Sequence, residues 1–260
     1  MSLLDPAERS ARGVTIGGEV TGAPLPAPTT PYAESWRDFV FAEVWSRPGL
    51  DRRSRFFIAL ASAAIKTGAG DHVDRYVRGA LTTGEIGLSE LREAALHLAV
   101  YAGWTKGAEL EDAITRVAAA LGLPAADCPP IRAAPWDPAV RSEEGAQGFI
   151  DVMTFPGGPP ASPYLEAIRN FVFGEMWCRP GLDQRARRWI TLVGVCESCA
   201  DVPIKSHIHA AMASGNCRPD ELQEFVLQYA VHAGWPRASE IQGAVFAMSK
   251  KIAAGLAWNE

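Results

Sequence analysis

The string "FVFAEVWSRPGLDRRSR" at residues 39–55 returns at 171–187 as "FVFGEMWCRPGLDQRAR". Glu43 recurs as Glu175, Pro48 as Pro180 and Arg55 as Arg187, each at an offset of 132. Upstream, "RSARG" (9–13) lies over "RSEEG" (141–145), and Pro31-Tyr32 over Pro163-Tyr164. Downstream the offset becomes 131, with Gly84 over Gly215 and "YAGW" (101–104) over "HAGW" (232–235). Two halves carrying the same text in the same order describe a duplicated domain. Solenoid repeats are far shorter, on the order of 20–50 residues. The expected division is copy one at 5–121, a Pro-rich linker at 122–138 and copy two at 139–257.

Each copy reads as helical. Leu91, Ala94, Ala95, Leu98 and Ala102 fall on one helical face, and Leu222, Phe225, Val226, Tyr229 and Ala233 repeat the pattern. Pro219 suits a first helical turn, and Gly103 and Gly234 suit helix ends. Asp51 and Asp183 precede long runs without Pro and are expected N-caps. The Pro- and Gly-rich stretches 23–31 and 156–163 are expected loops. Sustained β-alternation is absent, so the expected class is all-α.

The composition excludes several functions. A net charge of −5 offers no electrostatic case for nucleic acid. No apolar run is long enough to span a bilayer, so no membrane role is expected. The opening "MSLLDPAERSARG" has no apolar core of a secretion signal. Five cysteines without a regular framework fit a reducing cytoplasm better than a disulfide scaffold. "DHVD" (71–74) is better explained as a solvated helix start than as a metal site, and neither metal nor cofactor is expected.

The string Glu-x-x-x-Arg-Pro-Gly-Leu-Asp-x-Arg-x-Arg, with "HIHAAMASGNCRPDELQEFVLQYAVHAGWPRASE" at 207–240, resembles the carboxymuconolactone decarboxylase family, whose fold is alkylhydroperoxidase-D-like. The resemblance covers both copies. It implies a compact helical domain that assembles in rings of six, hence a homotrimer for a chain holding two. It also implies lyase chemistry, the decarboxylation of a small carboxylated lactone or related ring catabolite.

In that chemistry the carboxylate leaves, electrons flow into a conjugated carbonyl, and an acid reprotonates carbon. The resemblance makes Glu175 and His207 the expected proton carriers, with Arg187, assisted by Arg185 or Arg179, holding the anion and Trp177 shaping the wall. His207 stands eight residues before Gly215, the family's spacing, whereas copy one has Tyr76 there. Copy two is therefore the expected seat of chemistry. His97 and Tyr101 follow the family order, but copy two has Gln228 and His232 at those positions, which makes His232 a candidate second imidazole. His72 lies one turn before Tyr76 and shares its face. His209, two residues past His207, points to a different face of the helix.

"CESC" (196–199) permits a redox pair and hence a thiol peroxidase. Its spacing argues against that: Cys199 precedes His207 by eight residues where the peroxidase branch has four, and Arg188 stands where that branch has a Glu.

Overall fold

The computed structural model describes residues 4–66, 71–131 and 137–260. Among these the chain is helical, without a strand. Copy one runs α1 (Pro6–Thr21), α2 (Pro31–Ser35), a π-helical segment (Trp36–Trp45), α3 (Arg52–Ile65), α4 (His72–Thr82), α5 (Leu88–Ala102) and α6 (Trp104–Ala120). Copy two runs α7 (Pro138–Met153), α8 (Pro163–Ala167), a second π-helical segment (Ile168–Met176), α9 (Gln184–Glu197), α10 (Asp201–Ala213), α11 (Pro219–Ala233) and α12 (Trp235–Ala253). Residues 132–136 of the expected linker lie outside the described residues. No described helix is long and apolar enough to cross a membrane.

The local signals act as expected. Asp51 and Asp183 cap α3 and α9 by accepting from the backbone N–H groups of Ser54 and Ala186, each at 2.8 Å. Pro219 opens α11, and Gly103 and Gly234 end α5 and α11 with φ of 93° and 85°. Gly13 and Gly145 repeat for a packing reason. A Cβ at either would collide with the carbonyl of Arg37 or Arg169, so glycine lets α1 and α7 lie directly on the π-helical segments.

The centre of the molecule is shared. α3 and α9 pack against each other and are buried along nearly their whole length. α5 of copy one packs on α9 of copy two, and α11 of copy two packs on α3 of copy one. The apolar stripes read from α5 and α11 are what they bury: Leu91, Leu98, Leu222, Phe225 and Tyr229 are inaccessible.

The repeated phrase is the clasp between the copies. Arg47 and Arg55 both reach Glu224, Arg47 through both carboxylate oxygens at 2.8–2.9 Å and Arg55 at 2.9 Å. Their counterparts Arg179 and Arg187 reach Glu93, Arg179 at 2.6 and 2.9 Å and Arg187 at 3.7 Å. The next Arg does the same job at the surface. Arg53 pairs with Asp183 at 2.8 Å, and Arg185 pairs with Asp51 at 3.0 Å. Each capping Asp therefore also holds an Arg of the opposite copy.

Candidate active site

The π-helical segment of copy one and α4 enclose a chamber of about 480 Å³, opening beside the 23–31 loop. Its walls include Trp36, Arg37, Phe41, His72, Arg75 and Tyr76. A π-helix widens the turn and often marks a functional site. Here it sets Trp36 against His72, stacked with ring centroids 4.7 Å apart.

Behind the wall residue Tyr76 the two copies meet. Tyr76 Oη lies 3.1 Å from Nε2 of His232, carried in by α11. His232 also meets the rings of Trp36 and His72, at 6.1 and 6.4 Å. Burial, reinforced by His72, lowers the His232 pKa to about 4, so its ring is neutral at neutral pH. Burial, then Arg75, also lowers His72. Burial pushes the Tyr76 phenol upward, so it keeps its proton. The chamber thus presents neutral groups able to carry protons and two arginines. Arg75 is held by Asp71 in an exposed pair at 2.8 Å and Arg37 by Asp38 at 2.6 Å. An exposed i,i+4 pair such as Arg75–Asp71 is weak, about 0.3–0.5 kcal/mol, and yields readily to a competing anion.

Copy two is built differently at the matching place. Trp36, His72 and Arg75 become Ile168, Pro203 and Ser206. The hollow beside Ile168 and Arg169 is about 220 Å³, and His207 is not among its walls. His207 instead faces Tyr101 of copy one, with centroids 5.5 Å apart. The Tyr–His pair is therefore present twice with its members exchanged between copies. Tyr101 accepts from Trp177 Nε1 at 2.7 Å, and His97 meets Thr191 Oγ1 at 2.9 Å. Burial, with Arg188 second, lowers His207 to about 3.

The other expected site residues are spoken for by structure. Glu175 pairs with Arg141, as Glu43 pairs with Arg9 at 2.8 Å. Arg179 and Arg187 turn to Glu93, and Arg185 turns to Glu221 and Asp51. These three arginines hold the copies together. Trp177 packs on His97 and Arg188. His209 donates from Nε2 to the Leu256 carbonyl oxygen at 2.9 Å and so ties down the C-terminal segment. Sequence reasoning missed Trp36, Arg37 and Arg75. The signal available was the exchange of Trp36, His72 and Arg75 for residues without their chemistry at matching positions.

Cys196 and Cys199 are free thiols in unlike settings. Cys196 is buried near the C-terminal end of α9, where the helix dipole opposes a thiolate, and burial raises its pKa. Cys199 lies beyond the helix in a left-handed conformation, φ 59°, and is exposed. Cys199→Ser should leave turnover unchanged. An organic hydroperoxide assay with a dithiol reductant checks this, and peroxidase turnover that disappears in the variant would overturn it.

These features define a duplicated all-helical protein with a ring-lined chamber in copy one, backed by a Tyr–His contact to copy two. The chain belongs to the carboxymuconolactone decarboxylase family, which matches residues 30–115 and again 162–245. It is similar to the 4-carboxymuconolactone decarboxylase of Acinetobacter baylyi, 37% identical over 72 residues, covering 28% of this chain and 53% of that protein. It is also similar to the nitrosuccinic acid decarboxylase npaB of Metarhizium robertsii, 40% identical over 75 residues, covering 29% and 51%. The chain spans about half the length of these curated relatives.

Proposed function

We propose that the protein is a carboxy-lyase acting on a small carboxylated lactone or related ring compound, and that the copy-one chamber is its active site. Family membership supports the class of reaction. The observation that carries the location is the chamber of about 480 Å³ whose wall residue Tyr76 lies 3.1 Å from His232 of copy two. A pocket of this size, mostly apolar with a few convergent polar groups, fits a small organic ligand.

Arg75, and Arg37 beside it, would draw the substrate's anionic end, while Trp36 and Phe41 flank its ring. Loss of carbon dioxide leaves the bonding electron pair on the substrate, delocalised toward its carbonyl. The resulting carbanion or enolate is far more basic than a phenolate. Tyr76 can therefore hand over its proton even with a raised pKa; neutral His232, 3.1 Å away, then supports the phenoxide by a hydrogen bond until water replaces the proton. Release of carbon dioxide from a panel of carboxylated lactones and related ring acids tests the proposal. No release from any member would refute it.

The pH dependence follows from burial. His232 acts in its neutral form, which persists until pH falls to about 4. Turnover should hold steady through pH 6.5, where an ordinary imidazole titrates, and decline only toward pH 4. A pH–rate profile breaking near 6.5 would contradict this assignment. The proposed assembly is a homotrimer carrying six repeats. Light scattering should return three chain masses at micromolar concentration, and a monomer mass would refute it.

A further inference from the structure

Trp36 and Trp45 open and close the π-helical segment of copy one, nine residues apart. Nine residues make about two and a half turns of an α-helix, which would put the two rings on opposite faces. The widened turn brings both to one cluster instead. Trp36 stacks on His72 at 4.7 Å, and Trp45 meets the Tyr76 ring at 5.6 Å. Trp36 stands in the chamber wall, whereas Trp45 is buried, packed on Phe56 at 4.9 Å.

Trp45 carries a donor that the resting structure does not use. Its Nε1–H has no hydrogen-bond acceptor among the described residues. A buried N–H left in this state costs free energy. Its counterpart in copy two is satisfied, because Trp177 Nε1 donates to Tyr101 Oη at 2.7 Å. One exchange separates the two settings. The residue matching Tyr101 is His232, whose Nε2 faces Tyr76 Oη at 3.1 Å. The phenol beside this indole thus comes from α5 of the opposite copy in one setting and from α4 of the same copy in the other. Burial pushes the Tyr76 phenol upward, and the Trp45 N–H is the first group to oppose that rise; Tyr32 adds to it and Arg75 opposes it.

We propose that Trp45 is a positioning residue for the copy-one chamber, its indole N–H held for the Tyr76 oxygen and engaged when that oxygen becomes charged. The assignment rests on the reading of Tyr76 as the proton carrier. When the Tyr76 proton passes to the substrate carbanion, a phenoxide is left behind. A hydrogen bond to a charged oxygen is roughly twice as strong as one to a neutral oxygen. Trp45 then makes the bond that Trp177 makes at rest. The donor favours the charged form of Tyr76, so it makes the phenol a stronger acid without holding the substrate.

Trifluorotyrosine at position 76 carries a far more acidic phenol than tyrosine and brings the ionisation within reach of an absorbance titration, with no substrate needed. Trp45→Phe should make that phenol about tenfold less acidic, the size of a lost hydrogen bond to a charged group. Trp177→Phe should leave the titration in place. With the natural Tyr76, Trp45→Phe should lower kcat several-fold at unchanged KM, and added to Tyr76→Phe it should cause no further loss. An unmoved titration in Trp45→Phe overturns the assignment. A moved titration with unaltered kcat supports the donor and refutes Tyr76 as the proton carrier, so the two readings fail separately. Should Trp45→Phe fail to fold, the indole N–H signals of the protein with trifluorotyrosine at position 76 decide. The Trp45 signal, identified by its cross-peaks to the Phe56 ring, must move downfield as residue 76 ionises; an immobile signal overturns the assignment.

Discussion

Replacing Tyr76 by Phe should lower the turnover of decarboxylation by about 10²–10⁴, the usual loss when a positioned proton carrier is removed. The substitution deletes one oxygen and keeps a ring that packs against Trp45 at 5.6 Å, so the fold should survive. What disappears is the hydroxyl 3.1 Å from His232. The KM should change little, because the anionic end of the substrate meets Arg75 and Arg37. His207→Gln is the informative comparison. An imidazole lowered to about 3 offers no proton at neutral pH, and His207 is not among the walls of the chamber. Its replacement should leave turnover within a few-fold. A large loss in His207→Gln with little in Tyr76→Phe would place the chemistry in copy two, as the spacing to Gly215 alone suggests.

That contrast shows what was legible in the sequence and what was not. The duplication, the helical class, the Asp caps and the buried stripes all follow from local patterns: a repeat offset, a 3.6-residue period, an oxygen-bearing side chain before an apolar run. The π-helical segments do not. Over ten residues, the apolar positions of "WRDFVFAEVW" do not distinguish a normal from a widened turn.

The roles of Arg179, Arg185 and Arg187 were hidden for a different reason. Their conspicuous repetition invites an anion-binding role, but Glu93 and Asp51 are partners chosen by how the copies cross, at 86 and 134 residues' separation, and Glu221 by the folding of copy two on itself. No short-range spacing encodes that crossing. Likewise His232 is a candidate imidazole from its position alone, but only packing of α11 against the other copy brings it to Tyr76.

The second large effect concerns that crossing. Glu224→Gln should destabilise the protein by about 3–5 kcal/mol, the typical result of removing one partner from a buried ion pair. Arg55 is wholly inaccessible, its Nε already lacks a partner, and its remaining hydrogen-bond acceptors would be the Gln228 side-chain oxygen at 3.2 Å and the Arg47 carbonyl at 3.0 Å. Thermal unfolding should drop by about 2–4 °C per kcal/mol for a chain of this size. The double variant Arg55→Met with Glu224→Met should lose much less, because it removes the buried charges together and fills their volume. A single variant as stable as wild type would mean that the clasp contributes nothing.

Acid titration gives an independent sign. Burial pushes the Glu224 carboxyl upward, but hydrogen bonds and attraction from Arg47 and Arg55 outweigh it and hold the folded-state pKa below the usual range. The unfolded chain therefore binds this proton more readily. The carboxylate's contribution is complete above the unfolded pKa, about 4.3, and is lost as pH falls through the lower folded value. Wild-type stability should consequently fall more steeply on acidification below about pH 4.3 than that of Glu224→Gln. Parallel curves would show that the carboxylate is not held ionised by the two arginines, and this half of the joint would then rest on the packing of α11 and α9 against α3.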